Sequence, residues 1–281
     1  MDQKAIVMLL VQGSLILFMA AIGLRARWRD VVASLGNPGS LIRGVIAVNI
    51  VVPLVAIIMC SLLPIERETR LGIIVMAVSP LAPFIAAKMM KVGLTASEAI
   101  GLYVSLALLS VIIVPVTVAL LSAIYPADAT ISVGAVTKLV AVLVLLPLAV
   151  SLVISEVAPG LAKRLAPIFL GVAAVVLLLF LVLVLYKEGG HMIALIGDGT
   201  LLAIVVTVAA GLAAGHLLGG PRLADRESLA FAAATRHPGI AALIANANFH
   251  DPRVLVAIIL FLLTSVVVSA IYQQWVKRSV A

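Results

Sequence analysis

The sequence predicts an all-α integral membrane protein with nine transmembrane helices, built as an inverted repeat in which two broken helices cross. Three observations predict it. The 281 residues are 64% hydrophobic and 11% charged, against roughly 45–50% and about 25% in soluble domains, which excludes a soluble, disordered or disulfide-scaffold chain. The apolar residues fall in runs of ~20, the length a helix needs to cross a bilayer, and not in alternating ~10-residue segments of a β-barrel. Two of those runs carry proline at their centres, in corresponding places of the two halves of the chain.

The spans are expected at 5–24, 41–63, 71–92, 94–124, 133–155, 167–186, 200–219, 228–249 and 254–275. The first is too long for a signal-peptide h-region and has no small-residue cleavage site before Arg25, so it reads as a true span. Gln12 near its middle is expected to face the protein interior. The second carries Asn49 four residues before Pro53; Asn49 either lines a cavity or bonds a neighbouring helix. It also holds Cys60, the single cysteine, which excludes an internal disulfide and a multi-cysteine metal site. In the seventh, Gly211-Leu-Ala-Ala-Gly215 is a small-xxx-small pattern that predicts close helix contact. Asn246, Asn248 and His250 approach the end of the eighth. The spans leave no stretch for a separate soluble domain. Residues 1–281 are therefore expected to form one transmembrane domain, with a first half at 1–125 and a second at 126–281.

Charge sets the orientation. Assigning alternate connections to two sides puts twelve Lys and Arg on one side (Arg25, Arg27, Arg29, Arg43, Lys88, Lys91, Lys163, Arg164, Arg222, Arg226, Lys277, Arg278). The other side has six (Lys4, Arg67, Arg70, Lys138, Lys187, Arg253), and Arg236 falls inside a span. The positive-inside rule then predicts a multi-pass protein of the cell (inner or plasma) membrane, N-terminus outside and C-terminus cytoplasmic. Trp28, Tyr125, Tyr186, Tyr272 and Trp275 lie near span ends, where amphipathic rings favour the interface. The net charge of +7 is scattered over short connections and forms no basic face, which argues against a nucleic-acid partner.

With nine spans, spans 1–4 and 6–9 run in opposite senses, the arrangement of inverted-repeat carriers. Span 3 contains Ser79-Pro80-Leu-Ala-Pro83 and span 8 contains Arg236-His237-Pro238-Gly239. Each proline lacks an N–H and clashes with the preceding turn. Broken backbone at membrane depth survives only where protein or a water-filled cavity satisfies it. The alternative is a pair of ordinary proline kinks. The breaks predict half-helix N-termini after Pro83 and Pro238, whose free N–H groups favour an anion. Arg236 is the sharpest feature, because an arginine at mid-span costs ~2.5–3.5 kcal/mol on insertion scales. His237 beside it is either a proton carrier or a neutral hydrogen-bonding group. Lys88 either snorkels to the nearby face or belongs to the site. Glu98 is the one acid placed within a span.

The candidate substrate- or ion-binding residues are therefore Arg236, His237, Gly239, Glu98, Pro80, Pro83, Lys88 and Asn49. No catalytic motif (His-Glu-x-x-His, paired aspartates or Gly-x-Ser-x-Gly) is present, so an enzyme is not expected, nor a metal or other cofactor. The pattern predicts a secondary transporter of a small organic anion by alternating access. The alternatives are a sodium-coupled symporter of organic anions and a non-transporting membrane sensor or channel.

The chain also resembles the bile acid:sodium symporter family. The resemblance rests on Leu17-Phe-Met-Ala-Ala-Ile-Gly-Leu24 before a basic loop, Asn49 with Pro53-Leu54, Ser79-Pro80 with a short half-helix to Gly93, and Arg236-His-Pro-Gly-Ile-Ala-Ala-Leu-Ile-Ala245. It implies a core domain with two crossing broken helices and a separate panel domain. It also implies where this chain departs. The family's crossing-helix glutamate, a sodium ligand, falls on Arg236, and its glutamine falls on Ile240. A Pro-Gly-Gly-x-x-Ser-Asn pattern is replaced by Pro80-Leu-Ala-Pro-Phe-Ile-Ala86. A sodium-ligand serine falls on Glu98. Sodium coupling is therefore not expected. Arg236 and Glu98 are expected to form an ion pair where relatives hold sodium.

Overall fold

The computed structural model describes residues 3–124, 132–195, 197–249 and 251–280. Tyr125 and His250, named above, lie outside them. Every regular element among the described residues is a helix, and we number the helices in chain order. They are α1 (Gln3–Gly23), α2 (Trp28–Leu35), α3 (Pro38–Leu62), α4 (Arg67–Val78), α5 (Ile85–Lys91) and α6 (Ala96–Ile124). They continue as α7 (Val133–Val157), α8 (Pro159–Ala194), α9 (Thr200–Leu218), α10 (Leu223–Ala234), α11 (Pro238–Asn248) and α12 (Pro252–Val280).

Six helices are long and apolar enough to cross a membrane: α3, α6, α7, α8, α9 and α12. α1 and α2 are apolar enough only when taken together, and they meet at a bend of 86°, the geometry of a broken span or a re-entrant turn. The two elements expected as spans 3 and 8 are each broken into two shorter helices, α4–α5 and α10–α11.

Proline explains the internal irregularities. In α3, residues Ile46–Val51 wind as π-helix just ahead of Pro53. In α7, Ala141–Leu145 do the same ahead of Pro147. A widened turn moves the preceding carbonyl away from the proline ring that would strike it.

The residue before a proline is pushed out of helical geometry. Ser79, before Pro80, is extended (φ −63°, ψ 153°) and ends α4. His237, before Pro238, is also extended, and Pro238 opens α11 as its first residue, where the missing N–H costs nothing.

α1, α7 and α8 lie against one another, α6 fits against α7, α9 fits against α3, α10 and α12, and α4 fits against α12. Small residues allow these approaches. A Cβ at Gly72 on α4 would lie 2.5 Å from the Val254 carbonyl oxygen, and one at Gly215 on α9 would collide with the Ala230 backbone of α10. The Gly211–Gly215 pattern is thus a close helix contact. The broken elements form the centre. Residues 71–78 of α4, 228–234 of α10 and 238–245 of α11 are all buried, as expected of helices that are apolar on every side.

Candidate functional site

The two breaks meet. The chain between α4 and α5 and the chain between α10 and α11 form an isolated antiparallel bridge, Leu81 with Arg236. The His237 N–H donates to the Pro80 carbonyl at 2.9 Å. Each break therefore supplies what the other has lost, which is the condition for irregular backbone at membrane depth. The half-helices exchange partners: α5 lies on α10, and α11 lies on α4.

Arg236 sits at this crossing with none of its surface exposed. Its Nη1 donates to the Ser79 carbonyl at 3.3 Å, its Nη2 donates to the Val48 carbonyl, and its Nε has no partner. Both acceptors have a reason to be free. Ser79 caps the C-terminal end of α4, where carbonyls lack intrahelical donors and carry the negative end of the helix dipole. Val48 lies in the π-helical segment of α3, whose spacing aims its carbonyl at residue 53, a proline with no N–H. The guanidinium is thus held by backbone dipoles.

The expected ion pair between Arg236 and Glu98 is not formed. Glu98 accepts from Arg222 Nη2 at 2.8 Å and from Thr95 N and Oγ1, each at 2.9 Å, while Thr95 Oγ1 accepts from Glu98 N at 3.2 Å. This is a capping box at the start of α6: the hydroxyl and the carboxylate reciprocally satisfy orphan N–H groups of the first turn. Its signature, Thr95-x-x-Glu98, is visible in the sequence. The box explains why the carboxylate stays at a partly exposed helix end (side chain 38% exposed) and does not turn inward.

The other candidates sort by distance from the crossing. Pro80 supplies an acceptor to it, His237 follows the bridged Arg236, and Gly239 is the second residue of α11. His237 is fully buried, and neither ring nitrogen has a partner. A Cβ at Gly239 would come within 3.1 Å of Leu15 on α1, so this side of the crossing faces α1. Asn49 follows Val48, is buried, and has an unpartnered Nδ2. Pro83 precedes α5. Lys88 lies on α5 with its Nζ 3.9 Å from the centre of the Phe231 ring of α10, a cation–π contact that draws it toward the partner half-helix. Val48 and the Ser79 carbonyl were not foreseen. The Asn49–Pro53 spacing is the one signal that marks the freed carbonyl.

An apolar cavity of about 470 Å³ adjoins the crossing, lined by Phe18, Phe84, Phe180, Leu181, Pro238 and Ile259 among others. It opens between α1, α8 and α12. At the chain's two faces, Arg side chains hold the helix starts. Arg222 pairs with Asp225 (2.6 Å) and Glu98, and Arg253 pairs with Glu66 (2.7 Å) and Asp251 (2.8 Å). These contacts raise the Arg222 pKa, through hydrogen bonds to Asp225 and then Glu98. The hydrogen bond from Arg253 lowers the Asp251 pKa.

A bundle of apolar helices whose two broken members are bridged at their breaks is that of a multi-pass membrane protein. Comparison with known families agrees: residues 13–196 match the sodium bile acid symporter family. The chain belongs to that family, and so among membrane transporters and not enzymes. The match includes the α4–α5 break and ends before α9, so Arg236 and the second break lie beyond it. No curated protein matches the chain.

Proposed function

We propose that the protein is a secondary transporter that moves a small organic anion by alternating access and that needs no sodium. The observation that carries this reading is the buried guanidinium of Arg236 on the Ser79 and Val48 carbonyls. A cation bound between broken helices needs such oxygens, and here a tethered cation already occupies them. The anion would meet the N-terminus of α11 at Pro238, with His237 and Asn49 offering unused polar atoms. Its apolar body would lie in the cavity lined by Phe84 and Pro238.

Counting each broken pair, and α1 with α2, as one crossing would make nine spans, and the positive-inside rule would then put the N-terminus outside and the C-terminus in the cytoplasm. The face pairs support the repeat. Glu66, just before α4, pairs with Arg253 at the start of α12; Arg222, just before α10, pairs with Glu98 at the start of α6. In an inverted repeat α4 matches α10 and α6 matches α12, so these are one pairing with its charges exchanged. The contacts among α1, α7 and α8 support their acting as a panel against which the remaining helices rock. The test is counterflow in proteoliposomes: a bile acid and a set of shorter carboxylates, each loaded inside, with labelled tracer outside. Saturable, trans-stimulated exchange of one of them is expected. Flux that does not saturate would indicate a channel, and no flux of any of them would refute the carrier reading for this class.

A further inference from the structure

Two clefts open on the face richer in Lys and Arg, and their charges are sorted differently. The first, of about 330 Å³, lies over the starts of α6 and α10 and is lined by Asp30, Glu98 and Asp225 together with Arg43 and Arg222. Its charges neutralise one another, since Arg222 is bound by Glu98 and Asp225. The second, of about 480 Å³, lies between α1 and α8 on one side and α5 and α6 on the other. Arg25 and Arg27, from the α1–α2 turn, and Lys163, on α8, line it, and no carboxylate does. Pro159, the first residue of α8, also lines it, adding the positive end of a long helix dipole. Glu156, next in sequence to the lining residue Ser155, accepts from the Trp28 N–H at 2.7 Å, and Arg27 also donates to the Ser155 carbonyl at 3.4 Å. The opposite wall is apolar: Met90, Ala96 and Ile100 of α5 and α6.

We propose that this second cleft binds the headgroup of an anionic phospholipid. Its phosphate lies among Arg25, Arg27 and Lys163, and its acyl chains run along α8. Three features favour a lipid. The cations gather at a helix start, where a basic pocket between membrane helices meets the headgroup layer. α8 buries only 17% of its most apolar stretch, and the side that carries Lys163 and Pro167 continues along the helix with the exposed residues Gly171, Ala174 and Leu178. Trp28, 58% exposed beside Arg27, suits the interface. A lipid seated there touches α1 and α8 on one side and α5 and α6 on the other, and so ties these helices together at this face.

The test is lipid retention by native mass spectrometry, with phosphatidylglycerol and phosphatidylcholine of identical chains offered at equal amounts. At about fivefold per surface cation, the wild type should prefer phosphatidylglycerol by of order a hundredfold. Arg25→Gln/Arg27→Gln/Lys163→Gln should bring the two lipids near parity. The variant Arg25→Gln/Lys163→Gln keeps the Arg27–Ser155 contact and should lose most of the preference. Lys91→Gln/Lys277→Gln/Arg278→Gln removes the same charge from the same face outside the cleft and should keep the preference. Equal loss in this control, no preference in the wild type, or displacement of the lipid by inorganic phosphate would each overturn the proposal.

Discussion

Replacing Arg236 by leucine separates two accounts of how its charge is held. If a carboxylate neutralised the guanidinium, its removal would leave a buried uncompensated charge, at a cost of ~3–5 kcal/mol. The structure gives it neutral partners instead, the Ser79 and Val48 carbonyls. Arg236→Leu leaves two buried acceptors without a donor, at ~1–3 kcal/mol each. The same change removes a fully buried cation whose Nε has no partner, and that relief works in the opposite direction. The expected net loss is therefore about 2 kcal/mol, below that of a broken ion pair. Arg236→Lys keeps the charge but offers a point donor in place of a planar fork, and should lose roughly the value of one bond, about 1 kcal/mol. Denaturant titration in a fixed detergent, followed by circular dichroism, measures both. A loss of ~3–5 kcal/mol for Arg236→Leu that Glu98→Ala reverses would refute the backbone-held cation and restore the ion pair.

Further outcomes follow from the same contacts. In a double-mutant cycle, Arg236→Leu and Glu98→Ala share no partner and should add within about 0.5 kcal/mol, whereas Glu98→Ala with Arg222→Ala should show a coupling of ~0.2–1 kcal/mol for a partly exposed pair. Gly215→Val should push α9 off the Ala230 backbone and destabilise by about 1–3 kcal/mol or more, read by the same titration. The Arg253 hydrogen bond lowers the Asp251 pKa. Its stabilising contribution is present above the ordinary aspartate range and fades as pH falls through the lowered folded value. Stability measured against pH should show this acid limb in the wild type and lose it in Arg253→Gln.

The sequence reveals what depends on hydropathy and proline. Runs of apolar residues mark the long helices, and Ser79-Pro80 and His237-Pro238 mark both breaks, because a proline excludes its own N–H and the helical geometry of its predecessor whatever the surroundings. That the breaks meet was legible from their matching positions. Where Arg236 would find its partners was not. Charge counting directs an arginine to a carboxylate, and Glu98 was the one placed within a span. Thr95 three residues earlier diverts that carboxylate into a capping box, a local preference that outranks a distant attraction. The acceptors actually used are main-chain carbonyls at Val48 and Ser79. Backbone oxygens have no residue letter, so a sequence shows them only through what frees them: Pro53 for one and Pro80 for the other.

The proposed role of Arg236, a tethered cation in place of a coupling ion, is put to the test by substrate uptake into proteoliposomes with external sodium replaced by potassium at constant ionic strength and zero membrane potential. The same initial rate and half-saturation are expected in both salts. A rate that rises with sodium and saturates would contradict that role.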